Sequence, residues 1–216
     1  MPSENTYIIN LVGNVADPTQ LSQPDSANPP VTEGRQGELL AAEIHGQFYT
    51  PAYRGKLFQA STSAATFPVV TATVTSVFTL YNPPGSGVNA ELIYTTLTTQ
   101  TATTVVNTVG WYFSAAPSGA LGTFTAKGTV NSAKLGAPVA NNVLFYTTYV
   151  HSGTPTLGDV VGGFGATTNI APAFPFKWHN GGLILTQGCA ISLLMSTAAG
   201  TGSAFGAECK WAEWPV

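Results

Sequence analysis

The stretch LYNPPGSGVNAELIYTTLTTQTATTVVNTVGWYFSA, Leu80 to Ala115, holds one charged residue, Glu91. Its first third carries Asn82-Pro83-Pro84-Gly85-Ser86-Gly87, where proline fixes φ and glycine permits positive φ, so the chain turns there. On either side stand Val, Ile, Leu, Tyr and Thr, residues that suit a pleated, half-buried surface. The stretch reads as strand, turn, strand. A chain that holds such a segment in water must cover most of it.

The same pattern runs along the chain from Ser61. FPVVTATVTSVFTLY (67–81) alternates Thr with Val, Phe and Leu, the period-two signature of a strand with one buried face. GTFTAKGTV, NVLFYTTYVHSG, GGLILTQGCAISLLMSTA and AFGAECKWAEWPV follow, separated by clusters of Gly, Pro, Asn and Ser. These predict about eight antiparallel strands in a β-sandwich, jelly-roll-like, since no window sustains a helical period. Ser114–Gly122 and His151–Gly182 are expected as loops, the second long enough to serve binding if ordered.

Upstream, residues 1–36 read as an extended arm and residues 37–216 as the sandwich body. Asn14 to Gly37 is rich in Pro, Gln, Ser and Asn and holds too little apolar surface to fold alone. It tethers the apolar piece TYIINLV, whose Tyr7, Ile8, Ile9 and Leu11 are candidate contacts on another subunit through strand addition. GELLAAEIHGQFYT is expected to be a strand that ends at Pro51. The aromatics Phe48, Tyr49, Tyr53 and Phe58 beside Arg54, and the terminal Trp211 and Trp214, are candidate interface anchors, because aromatic and Arg side chains dominate interface energetics.

Charged residues are 8% of the 216, against roughly a quarter in ordinary domains. Between Lys56 and Glu208 they are Glu91, Lys127, Lys134, Asp159 and Lys177 alone. Hydroxyl and amide side chains must keep such a surface wet, or neighbouring subunits must cover it. The net charge of −3 offers no basic footprint for nucleic acid. No apolar run is long enough for a membrane span, and MPSENTYIINLVG shows no signal peptide. Synthesis in the cytoplasm leaves Cys189 and Cys209 as buried small hydrophobes rather than a disulfide.

Chemistry is sparse in the pattern. His45, His151 and His179 fall in no metal-ligand spacing and read as turn or surface histidines, with Asn180-Gly181 as a hairpin turn. Ser86 sits in a turn without a nucleophile-elbow frame. GDVVGGFGATT lacks a phosphate-loop lysine, and Glu208 with Glu213 is the one close pair of body carboxylates. No catalytic residue, cofactor or metal is expected.

GELLAAEIHGQFYTPAYRGKLFQAST (37–62), LYNPPGSGVNAELI (80–93) and ECKWAEWPV (208–216) resemble segments of capsid-associated jelly-roll proteins of tailed bacteriophages, of the cement or decoration type. The resemblance implies a non-enzymatic virion protein assembled in the host cytoplasm. It further implies self-association, as a trimer, and binding to the major capsid protein or other virion proteins. The alternative is a carbohydrate- or receptor-binding sandwich of a fibre or tail, with Trp178, Trp211 or Tyr residues as stacking platforms.

Overall fold

The computed structural model describes residues 48–101, 103, 105–114, 121–136, 138–166, 175–197 and 204–216. The arm residues Tyr7, Ile8, Ile9 and Leu11, and the expected strand up to Gln47, lie outside them. The chain separates into two units between Thr50 and Pro51, the second being residues 51–216.

Tyr49–Tyr53 is one helical turn, α1, where a strand ending at Pro51 is expected. Proline is tolerated in a first helical turn, because its missing N–H would find no partner there anyway. Gly55, at φ +67°, closes the turn by donating its N–H to the Ala52 carbonyl at 3.0 Å.

Among the described residues the other elements are strands. They are β1 (Leu57–Ala65), β2 (Thr75–Ser76), β3 (Thr79–Asn82), β4 (Val88–Thr99), β5 (Asn107–Phe113) and β6 (Thr123–Lys127). After these come β7 (Val130–Ser132), β8 (Leu144–Val150), β9 (Thr156–Phe164), β10 (Phe176–Trp178), β11 (Ile184–Leu185), β12 (Cys189–Met195) and β13 (Phe205–Pro215). Sheet one runs β10–β4–β13–β1–β7, with β11 also on β4. Sheet two runs β2–β8–β3–β12–β5–β9, with β6 on β8. Every ladder is antiparallel.

Setting aside β2 and the β6–β8 excursion, and taking β10 with β11 as one interrupted strand, eight strands remain. In chain order they lie 1-8-3-6 in sheet one and 2-7-4-5 in sheet two, the jelly-roll order. The expected all-β sandwich is the fold observed.

The turn at Pro83–Gly87 therefore does not close a hairpin. β3 belongs to sheet two and β4 to sheet one, so the turn carries the chain across the sandwich. Gly85 and Gly87 take φ of +74° and +72° there. The buried Asn82 amide fastens the corner, donating to the carbonyls of Val88 at 2.9 Å and Leu185 at 3.0 Å.

FPVVTATVTSVFTLY is not one strand either. The Ser76 hydroxyl binds the backbone of Phe78 at 3.2 Å and takes its N–H out of the ladder, so β2 and β3 form separately. The expected loop 151–182 is also partly regular, since it contains β9 and β10. Glycines at 158, 162 and 163 hide the strand signal of β9.

Between the sheets lie Phe58, Phe67, Phe78, Leu92, Leu97, Trp111, Phe145, Leu193, Phe205 and Trp211, all essentially inaccessible. Phe78 meets Trp111 edge-on at 5.9 Å and Phe145 at 4.6 Å. Phe58 and Trp211, expected at a subunit contact, instead pack each other at 6.1 Å in this core. Their strands pair at that register, and both residues fall on the inward-facing parity.

Part of the outer face of sheet two is covered as well. Val74, Tyr112 and Leu194 form one cluster there, and Tyr146, Tyr149 and Ala190 form another under Phe124. This explains why the opening stretch carries so little charge. β5 is buried on both faces from Val109 to Tyr112, so a charge there would have to leave water.

Candidate binding face

His151 and His179 are each buried within a hydrogen-bonded network, against the surface or turn position expected, and His45 lies outside the described residues. His179 donates from Nδ1 to the Asp159 carboxylate at 2.9 Å. Its Nε2, 2.9 Å from Thr95 Oγ1, then accepts the Thr95 hydroxyl proton. Trp111 completes the chain by donating Nε1–H to the same Thr95 oxygen at 3.0 Å. Lys177 holds the other Asp159 oxygen at 2.5 Å and the Val160 carbonyl at 2.7 Å.

The order carboxylate, imidazole, hydroxyl is that of a hydrolase triad. Here the Thr95 hydroxyl is enclosed between the sheets and already holds the Trp111 proton, so no carbonyl can approach it. The network instead joins β9 of sheet two to β10 and β4 of sheet one. Asn180 and Gly181 make the expected tight turn, at φ +47° and +75°. That turn bulges out of one edge strand, because β10 and β11 both pair with β4.

His151 lies on the covered part of the outer face of sheet two. Its Nδ1 shares a hydrogen bond with Ser114 Oγ at 2.8 Å and its Nε2 with Ser192 Oγ at 3.0 Å. Burial holds its pKa down to about 4, and burial also lowers that of His179 against the opposing pull of Asp159. Cys209 is buried with its thiol pushed up to about 12, and Cys189 is half-buried; both are free. Glu208 and Glu213 lie on opposite faces of β13, the first outward and the second in the core, so they make no acid pair.

Two rows of side chains cross the outer face of sheet one. Register places Trp178, Tyr94, Lys210 and Gln59 in one row across β10, β4, β13 and β1, and Phe176, Thr96, Glu208 and Ser61 in the next. Phe176 and Trp178 are 47% and 45% exposed. Tyr94 sits 5.2 Å from the first ring and 5.5 Å from the second. The Tyr94 hydroxyl donates to Glu208 Oε1 at 2.8 Å, and burial with that bond pushes its pKa well up. Lys210 Nζ stands 5.2 Å over the Tyr94 ring and 3.9 Å from Glu208.

Beside the rings lies a shallow groove of about 200 Å³, lined by Ser61, Thr96, Thr98, Gln100, Gly206 and Glu208. Gly206 keeps it open: a Cβ there would stand 2.5 Å from Thr98 Oγ1.

The other expected contact residues are scattered. Trp214 is 43% exposed, with its indole N–H donating to Glu91 at 2.9 Å. Tyr53 is exposed under Lys134 Nζ, 4.6 Å from its ring, and Arg54 is exposed next to it. Phe48 and Tyr49 are half-buried. Of these aromatic positions, the expected stacking residue Trp178 joins the ring cluster, whereas Trp211 does not.

Phe176 and Tyr94 carry no sequence signal as partners of Trp178. Their convergence depends on strand register, and β10 is too short to read from its residues. Among the described residues, no three His, Cys, Asp or Glu side chains converge as a metal set, and no helix is long and apolar enough to cross a membrane. Comparison with protein-family models, curated proteins and solved structures finds no match.

Proposed function

We propose that the protein is a non-enzymatic structural virion component, a jelly roll that self-associates and binds a capsid as a cement or decoration protein. The observation that supports this reading best is an uncharged apolar area on sheet two. Leu157 and Val160 of β9 are 46% and 42% exposed. Between them runs Gly110 of β5, which a Leu157 methyl overlies 2.8 Å from where a Cβ would stand. Asp159, the charged residue of this strand, turns its carboxylate to His179 and Lys177 and leaves the outside without charge. A copy or a capsid subunit laid on this area removes apolar surface from water at roughly 25 cal/mol per Å².

The full-length protein is expected to sediment as a stable oligomer, three copies in the stoichiometry that the resemblance implies, and to co-sediment with capsids that lack it. Replacing Leu157 and Val160 together by Lys should shift it toward monomer at a nearly unchanged melting temperature, since both side chains already face water. A wild-type protein that stays monomeric and ignores capsids would sink the proposal.

A further inference from the structure

We propose that the outer face of sheet one carries a binding site for a neutral oligosaccharide, built on Tyr94, Phe176, Trp178 and Glu208. This goes beyond the structural role above and holds whether or not that role is correct.

The first support is the ring cluster. Phe176 and Trp178 alternate along β10 with Lys177 between them, so both rings point outward while Lys177 turns to Asp159. Each meets Tyr94 and the other, with Phe176 and Trp178 edge-on at 5.2 Å. Three rings that brace one another keep a fixed shape without lying in the core. Their exposed π-faces are electron-rich and suit the weakly positive C–H face of a sugar ring.

The second support is the polar partner beside the rings. Glu208 is fixed by the Tyr94 hydroxyl and faced by Lys210, which leaves carboxylate lone pairs for sugar hydroxyls. It borders the groove that Gly206 keeps open, where Thr96 and Thr98 add hydroxyls. Apolar ring faces and directed acceptors lie one register step apart, the combination that a polyhydroxylated ring requires.

Charge and edges argue against other occupants. Glu208 and Lys210 offset each other, so the face complements an uncharged ligand. Single-stranded nucleic acid would need a basic track beside the rings. An added peptide strand would pair along the outer edge of β10, beside the ring faces rather than over them, since β4, β13 and β1 are interior strands with neighbours on both sides.

The test titrates the full-length protein with maltohexaose, cellohexaose, mannohexaose and chitohexaose, following tryptophan emission and heat. At least one should bind saturably and shift the emission. Trp178→Ala should weaken that binding by about tenfold or more, the loss of one stacked ring. Glu208→Gln should weaken it by a similar factor, as expected for a hydrogen bond to a charged group. Both variants should melt like the parent, and Trp214→Ala should bind like it. The proposal is overturned if none of the four sugars binds saturably, or if Trp178→Ala binds as tightly as wild type. It is equally overturned if Trp178→Ala dissociates the oligomer, which would make this face a subunit contact.

Discussion

Glu213→Ala is expected to melt roughly 10 °C below the parent protein. Glu213 is buried in β13, and its carboxylate accepts the N–H groups of Asn142 and Val143 at 2.9 Å each. It also takes the Asn142 side-chain amide at 3.0 Å and the Trp211 indole N–H at 3.3 Å. Alanine leaves the Val143 and Trp211 donors enclosed without an acceptor, at about 1–3 kcal/mol each, and opens a cavity besides. A total near 4 kcal/mol converts to the stated shift at roughly 2–4 °C per kcal/mol for a chain of this size. Scanning calorimetry checks it. Glu213→Gln keeps one acceptor oxygen and should fall between the two. A shift below about 2 °C for alanine would show that the 142–143 segment finds other acceptors.

The second large effect is acid sensitivity above the range where carboxylates titrate. In the unfolded chain His151 binds a proton near pH 6.5, whereas in the folded chain burial holds it down to about 4. Its stabilising contribution is therefore complete above about pH 6.5 and declines as the pH falls toward 4. One group with this difference accounts for about 3 kcal/mol over that window. His179, lowered in the same direction, adds to the loss. Chemical denaturation at intervals from pH 7.5 to 4 should show a steady fall in stability. The profile of His151→Gln should be visibly flatter, whatever its stability at pH 7.5. A mutant profile parallel to that of wild type would mean that His151 takes up its proton in the folded state.

The architecture was legible wherever alternation was strong. VNAELIYTTLTT shows its inward Val88, Ala90 and Leu92 directly, and it is β4. Beyond Leu92 the alternation slips by one residue, because Ile93 is an extra residue opposite the step from Lys210 to Trp211. The slip puts Thr95 inward and Tyr94 outward, and both the buried relay and the exposed ring cluster depend on it. Sequence alternation alone does not locate such a bulge.

The histidines were unreadable for a related reason. His179 owes its burial to Asp159 and Thr95, which are 20 and 84 residues away. Trp211 and Trp214 look equivalent in KWAEWPV, yet strand parity and the end of β13 send one into the core and leave the other beside Glu91. Composition reported that the surface was short of charge. It could not report how much of that shortage β5 resolves by burial on both faces within its own chain.

β13 occupies the middle of sheet one, between β4 and β1, yet it is the last strand in sequence. Until it enters, β4 and β1 have no hydrogen-bonding neighbour on the sides that it will occupy, and Trp211 is missing from between the sheets. Until β13 is made, a growing chain therefore carries two open strand edges, and the centre of sheet one is complete only once β13 has entered. Such a topology folds late and slowly. Open edges of this kind are also where strands of different chains join wrongly. The polar Thr residues along β4 and the hydroxyl-rich β1 keep those waiting edges wet, which gives the scarcity of large apolar side chains on their outer face a role before the native sheet exists.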